Sequence, residues 1–105
     1  MKELIDILHR ANCSLVVRDV HGEITIYRKP GVRDLEDLLG SDTDRLRGAD
    51  IADKVIGKAA AGMAVYGGVH SVYGEVLSRQ ALPILNEAGV GYSYGRDCRK
   101  KAKTL

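Results

Sequence analysis

The sequence predicts an α/β domain: a mixed sheet of four to five strands with helices on both faces, a three-layer α-β-α arrangement. Three observations predict it. Residues 14–27 hold two β-rich runs about a His21-Gly22 turn. Two helix–strand units follow, each with its own turn signals. Between them lies Asp50-Ile51-Ala52-Asp53-Lys54-Val55-Ile56-Gly57-Lys58-Ala59-Ala60-Ala61-Gly62, whose second half is almost free of side-chain volume. A hairpin joined to right-handed crossovers gives a mixed sheet with helices packed on it.

The elements follow in order. Leu4, Ile5, Ile7, Leu8 and Ala11 recur at helical spacing, with Lys2, Glu3, Asp6 and Arg10 opposite, so residues 2–12 read as an amphipathic helix. His9 falls on its polar side and reads as solvated. Leu15, Val16, Val17 and Val20, then Ile24, Thr25, Ile26 and Tyr27, form the hairpin strands across a tight X-Gly turn. Val32, Leu35, Leu38 and Leu39 share one side of a short helix that Gly40 is placed to stop. Residues 41–47 are polar and read as a loop; Asp42 and Asp44 there lack the further oxygen ligands of a cation site.

The central helix is expected over residues 53–65, opened by Asp50 or Asp53 as a cap. Gly57 and Gly62 each cost roughly 1 kcal/mol against alanine in a helix. Keeping them implies that the missing side chains let another backbone come close. Tyr66-Gly67-Gly68 is a turn signal, and residues 70–77 form a strand. Val72, Gly74 and Val76 are expected on one face, with Tyr73, Glu75 and Leu77 on the other. Glu75 in mid-strand needs water or a partner. Ser78 is the cap candidate for a helix with Ala81, Leu82, Ile84, Leu85 and Ala88 on its apolar face, ending at Gly89. Residues 90–94 are a last strand. The order is α-β-β-α-α-β-α-β.

A chain of 105 residues forms one domain, assigned to residues 1–95, with a basic tail over 96–105. That tail is expected to be mobile. With 45% apolar and 29% charged residues, the composition is that of a globular protein in water. A net charge of +2 argues for neither nucleic acid nor membrane, and the five aromatics, all Tyr, form no row for stacking bases. The first residues are charged and no apolar run reaches the length of a membrane span, so the expected compartment is the cytoplasm. Cys13 and Cys98 fit no zinc spacing and read as two free thiols, with one disulfide as the alternative.

Other motifs fail on inspection. Gly57-Lys58 lacks the upstream glycine of a P-loop, and Ala59 stands where Ser or Thr would hold magnesium. Gly89-x-Gly91 lacks a third glycine and precedes a strand rather than a helix. His9, His21 and His70 make no metal trio by spacing.

The segment from Val72 to Gly95 resembles the second zinc-binding segment of cytidine and nucleobase deaminases. Ala88-Gly89-Val90 and Tyr94-Gly95 match its ending without a gap. Leu77 then takes the proline position of P-C-x-x-C, and Ser78 and Ala81 take the two cysteine positions. The H-x-E segment of those enzymes opens the preceding helix; Ala52-Asp53-Lys54-Val55 stands in that place and supplies neither residue. The chain over residues 4–98 also resembles a small uncharacterised prokaryotic family with a zinc-less cytidine-deaminase-like fold. The signature is Asp53-Lys54-Val55-Ile56-Gly57-Lys58-Ala59-Ala60-Ala61, followed by Tyr66-Gly67-Gly68-Val69.

The resemblance implies the fold, no metal and no cofactor, and no zinc-dependent deamination, which needs the metal for water activation and the Glu for proton transfer. The leading expectation is a small-ligand-binding or regulatory domain. It uses the helix starts at Asp53 and Ser78 as a pocket, with Lys54 or Lys58 countering an anion and Glu75 nearby. The expected ligand is a small anionic or nucleoside-like molecule, and a homo-oligomer is compatible with the reading. Two other classes stand beside it: a metal-independent enzyme with Lys54 as nucleophile or acid–base group, and an interaction module in which Asp53 only caps a helix.

Overall fold

The computed structural model describes residues 1–96, with the side chain of Arg96 outside that description; the basic tail and Cys98 lie outside the described residues. The apolar periodicities named above become α1 (Lys2–Arg10), β1 (Leu15–Arg18), β2 (Ile24–Tyr27), α2 (Arg33–Ser41), a short 3-10 turn (Thr43–Arg45), β3 (Asp50–Ile56), α3 (Lys58–Tyr66), β4 (Ser71–Leu77), α4 (Ala81–Ala88) and β5 (Gly91–Arg96). The sheet order is β2-β1-β3-β4-β5. β1 runs antiparallel to both β2 and β3, whereas β3, β4 and β5 are parallel. Among the described residues no helix is long and apolar enough to cross a membrane.

The sheet has a core on each face. On one side α1 packs over β1 and β3, burying Leu4, Leu8, Cys13, Val16, Ala52 and Tyr73 together. On the other, α2, α3 and α4 cover the larger core, which includes Leu15, Val17, Ile51, Val72 and Leu85. Both crossovers, β3-α3-β4 and β4-α4-β5, step the same way along the sheet, so a common handedness lays α3 and α4 on one face. The result is the expected mixed sheet in three layers.

The central helix is shorter than the sequence reading gave it. Asp50–Ile56 is a strand, not the entry to a helix, and α3 starts at Lys58 after an extended Gly57. The small residues of 59–62 are helical, but the helix signal does not extend back across Ile51, Val55 and Ile56. Residues 50–53 find strand partners on both sides, as Ala52 does opposite Val16 on β1 and Tyr73 on β4, and Val55 and Ile56 pair with Val76 and Leu77 of β4. Backbone hydrogen bonds to two neighbouring strands outweigh a local preference.

Gly57 and Gly62 are not points of close approach. A Cβ built on either meets nothing within 4 Å. Contact with the core is made by Ala60, Ala61 and Ala64, all buried. Two smaller readings also shift. The hairpin closes through residues 19–23 rather than a two-residue turn: the Asp19 carboxylate accepts the N–H groups of His21 and Glu23, each at 2.9 Å. α2 runs through Gly40 to Ser41 before it stops. Gly89 ends α4 as expected, with φ of 72° in the left-handed region, and the Val90 N–H returns to the Leu85 carbonyl at 3.0 Å.

At the amino ends of β3 and β4, Asp50 ties the sheet together. Its carboxylate accepts the Arg18 guanidinium at 2.8 Å, the Ser71 hydroxyl at 2.5 Å and the His70 Nδ1–H at 3.2 Å. Burial pushes this carboxyl up, but the three donors outweigh that and hold it at about 2.

Two substitutions in α3 test the packing, read by denaturant unfolding. Ala60→Leu is expected to destabilise by about 1–3 kcal/mol, because the buried site has no room for the added carbons. Gly62→Ala is expected to stabilise by about 0.5–1 kcal/mol, since the new methyl meets open space and the unfolded chain loses freedom. A destabilised Gly62→Ala would mean that the glycine is needed for contact after all.

Candidate functional site

β3 and β4 lose their alternation at the same level. Asp53 is buried, Lys54 and Val55 are both exposed, and Ile56 is buried again. On β4, Val76 packs against the larger core while also bordering the cleft, and the next residue, Leu77, enters that core too, so the expected alternation breaks at Leu77. The register passes from Asp53↔Gly74 to Val55↔Val76, and from Gly74↔Tyr94 to Val76↔Arg96. Lys54, Glu75 and Gly95 therefore make one row across three strands.

The end of α1 overhangs this row. Leu8 and His9 from α1, Lys54 and Val55 from β3, and Glu75 and Val76 from β4 line an open cleft of about 460 Å³. Glu75 is its fixed point. The His9 Nε2–H donates to Glu75 Oε1 at 2.6 Å, and the Tyr73 hydroxyl donates to the same oxygen at 2.8 Å. Tyr73 is buried; desolvation first, then the hydrogen bond to Glu75 and its charge, push the phenol up to about 12. Gly95 leaves room for the pair. A Cβ there would fall 2.5 Å from Tyr73 Oη and 2.8 Å from Glu75 Oε2.

The five residues expected to share one pocket separate into three places. Lys54 and Glu75 share the cleft. Asp53 does not cap a helix: it lies within β3, directly opposite Leu15, and faces the larger core. Burial pushes its carboxyl up to about 7; the backbone N–H groups of Val55 and Lys54 pull it down in part, and the charge of Asp34 pushes it up further. Lys58 is the exposed first residue of α3. Ser78 follows β4, where its N–H donates to the Ile56 carbonyl at 2.9 Å and its hydroxyl oxygen accepts the Gln80 N–H at 3.2 Å. That bond shapes the turn before α4; the cap position itself is Gln80. Lys54 also leaves the helix, so no dipole opposes its charge.

Sequence reading missed His9 and Tyr73, and it treated His9 as solvated. His9 and Tyr73 meet Glu75 on the α1 side of the sheet, and the His9 contact spans 66 positions of chain. Tyr73 had a local signal, since residues two apart on a strand share a face.

The resemblance to deaminases draws attention to the starts of α3 and α4. With α3 beginning at Lys58, the place of H-x-E moves from 52–55 to the Gly57-Lys58 junction. Lys58, Ser78 and Ala81 offer neither imidazole nor thiolate, so these residues do not fit a zinc ion. Among the described residues no group of three or more His, Cys, Asp or Glu could hold a metal.

A family model described as a domain of unknown function (DUF1893) matches residues 3–98. A DUF1893 family protein from Thermotoga maritima is similar in structure, with a TM-score of 0.78 and 25% identity over 90% of this chain and 63% of that one. The chain thus spans a little under two thirds of that relative. RibD of Acinetobacter baumannii is similar with a TM-score of 0.56 at 15% identity, over 97% of this chain and 36% of its own. A diaminohydroxyphosphoribosylaminopyrimidine deaminase/5-amino-6-(5-phosphoribosylamino)uracil reductase from Thermotoga maritima gives 0.54 at 15% identity, over 98% and 37%. At that identity the likeness to the last two is one of fold, which is cytidine-deaminase-like. No protein among the curated ones matches the chain in sequence.

Asp53 makes a pH prediction. Its carboxyl titrates near 3.8 when unfolded and near 7 when folded. Between those values the folded chain holds a proton that the unfolded chain has released. Stability therefore falls as pH rises from about 4 to about 7 and is level above that, by on the order of 2–4 kcal/mol in all. Asp53→Asn is expected to remove that fall and to be more stable than the parent at pH 8. Urea unfolding from pH 4 to pH 8 measures both, and an equal slope in parent and variant would show that Asp53 does not carry the effect.

Proposed function

The chain belongs to the DUF1893 family, and on that premise we propose that it is a small-ligand-binding domain on a cytidine-deaminase-like fold. The ligand is nucleotide- or nucleoside-like and sits in the cleft between the end of α1 and the ends of β3 and β4. The observation that carries this reading is the shared cleft of Lys54 and Glu75, which come from neighbouring strands onto an apolar floor of Leu8, Val55 and Val76. A mainly apolar concavity with few, fixed polar groups is the usual form of a small-molecule site. No ion pair to Lys54 occurs among the described residues, so its ammonium is available to an anionic group. Lys58 and Ser78 lie at the carboxyl ends of the parallel strands and take a secondary place in the proposal; Asp53, facing the opposite core, takes none.

The enzyme alternative draws less support. A lysine nucleophile needs desolvation, and Lys54 is exposed. Hydrolytic deamination of the zinc type lacks its donors at both helix starts.

A thermal-shift panel of nucleosides, nucleotides and sugar phosphates tests the reading. A ligand at 100 times its Kd is expected to stabilise the protein by about 2.7 kcal/mol. Lys54→Ala is expected to abolish that shift while leaving the stability of the free protein unchanged. If no ligand raises the melting curve of the parent and Lys54→Ala lowers its stability, the domain is an interaction module instead. Elemental analysis is expected to find less than stoichiometric zinc; one zinc per chain would overturn the assignment of Lys58, Ser78 and Ala81.

A further inference from the structure

We propose that the ligand of this cleft is of the sugar phosphate type, with Lys54 countering the phosphate and His9 Nδ1 accepting a hydrogen bond from a sugar hydroxyl. The inference rests on the ligand-binding reading above and puts a sugar phosphate in place of the nucleoside-like ligand.

The argument starts from what each polar group has left to offer. A carboxylate only accepts hydrogen bonds, so the contact between His9 Nε2 and Glu75 Oε1 at 2.6 Å requires that Nε2 carry the proton. In the neutral ring the other nitrogen, Nδ1, is then an acceptor. The His9 side chain is half-exposed and lines the cleft. Glu75 lines the cleft, but its Oε1 already takes both the His9 and Tyr73 protons, and Oε2 lies over Gly95. Glu75 is thus a positioning residue, and it acts through His9. The polar groups offered to a ligand then include an acceptor, His9 Nδ1 of the neutral ring, and a cation, Lys54. A molecule that satisfies both carries a hydroxyl and an anionic group.

The floor narrows the class further. Leu8, Val55 and Val76 are aliphatic, and no Phe, Tyr or Trp is among the described lining residues. A nucleobase finds only the His9 imidazole, whose edge is held by Glu75, whereas aliphatic side chains suit the C–H face of a sugar. A compact phosphorylated sugar meets all three conditions.

Calorimetric titration of the full chain with ribose 5-phosphate, ribose, inorganic phosphate and ribonate tests this. Ribose 5-phosphate is expected to bind at least tenfold more tightly than the other three. Lys54→Ala is expected to erase the advantage over ribose, and His9→Ala the advantage over inorganic phosphate. Gly95→Ala, which forces Glu75 and Tyr73 to move, is expected to weaken ribose 5-phosphate binding at least threefold. Nitrogen-15 NMR of the free protein is expected to report the Nε2–H tautomer of His9 in the parent and a tautomer mixture in Gly95→Ala, a readout that loss of packing alone would not move. Ribose 5-phosphate binding unchanged in Lys54→Ala and His9→Ala would overturn the inference, as would tighter binding of ribonate. A nucleoside that binds in the cleft where ribose 5-phosphate does not would overturn it while leaving the ligand-binding reading intact. If neither these compounds nor any nucleoside or nucleotide binds, both fall.

Discussion

The structure depends on the pairing of β3 on both sides. One neighbour, β1, is antiparallel and comes from the hairpin; the other, β4, is parallel and comes from the first crossover. This strand joins the two halves of the sheet, and its backbone is satisfied by both. Its place also decides the chemistry. Once Asp50–Ile56 is extended, neighbouring side chains go to opposite faces. Asp53 turns into the larger core and Lys54 out into the cleft, although they are adjacent in the chain. A helix would have kept both near one end of one element.

The same strand shows how environment divides two identical side chains. Asp50 and Asp53 are three positions apart. Asp50 has three donors from β1 and the amino end of β4, and it remains ionised down to about pH 2. Asp53 has backbone N–H groups only, is buried on the side of the larger core where the charge of Asp34 also acts on it, and titrates near 7. Desolvation acts on both; side-chain partners decide which way each carboxyl moves. Asp50 thereby supports the fold at neutral pH, and Asp53 opposes it there.

On the α1 face, the row Lys54–Glu75–Gly95 organises the cleft. Gly95 matters for what it lacks, because the volume of its missing side chain is filled by the Tyr73 hydroxyl and the Glu75 carboxylate. Three elements meet at Glu75: β4 supplies it, β5 makes room for it, and α1 brings His9 to it. This arrangement stands on a cytidine-deaminase-like fold and lies away from the starts of α3 and α4.

The sequence by itself determined the fold class, the hairpin, the parallel units and nearly every element boundary outside β3. Those features rest on short-range patterns: apolar spacing in α1, β-branched runs in β1 and β2, and Gly89 at the end of α4. It also put Lys54 and Glu75 forward as candidates, Lys54 from an expected helix start and Glu75 as a charge in mid-strand. Tertiary structure alone decided that residues 50–56 are extended, because the ladders that hold them come from β1 and β4, distant in the chain. It alone decided that Asp53 is buried, that Gly62 faces open space and that His9 serves Glu75. Each of these is set by which element lies opposite, and a local pattern encodes the face of a residue but not the neighbour that face will meet.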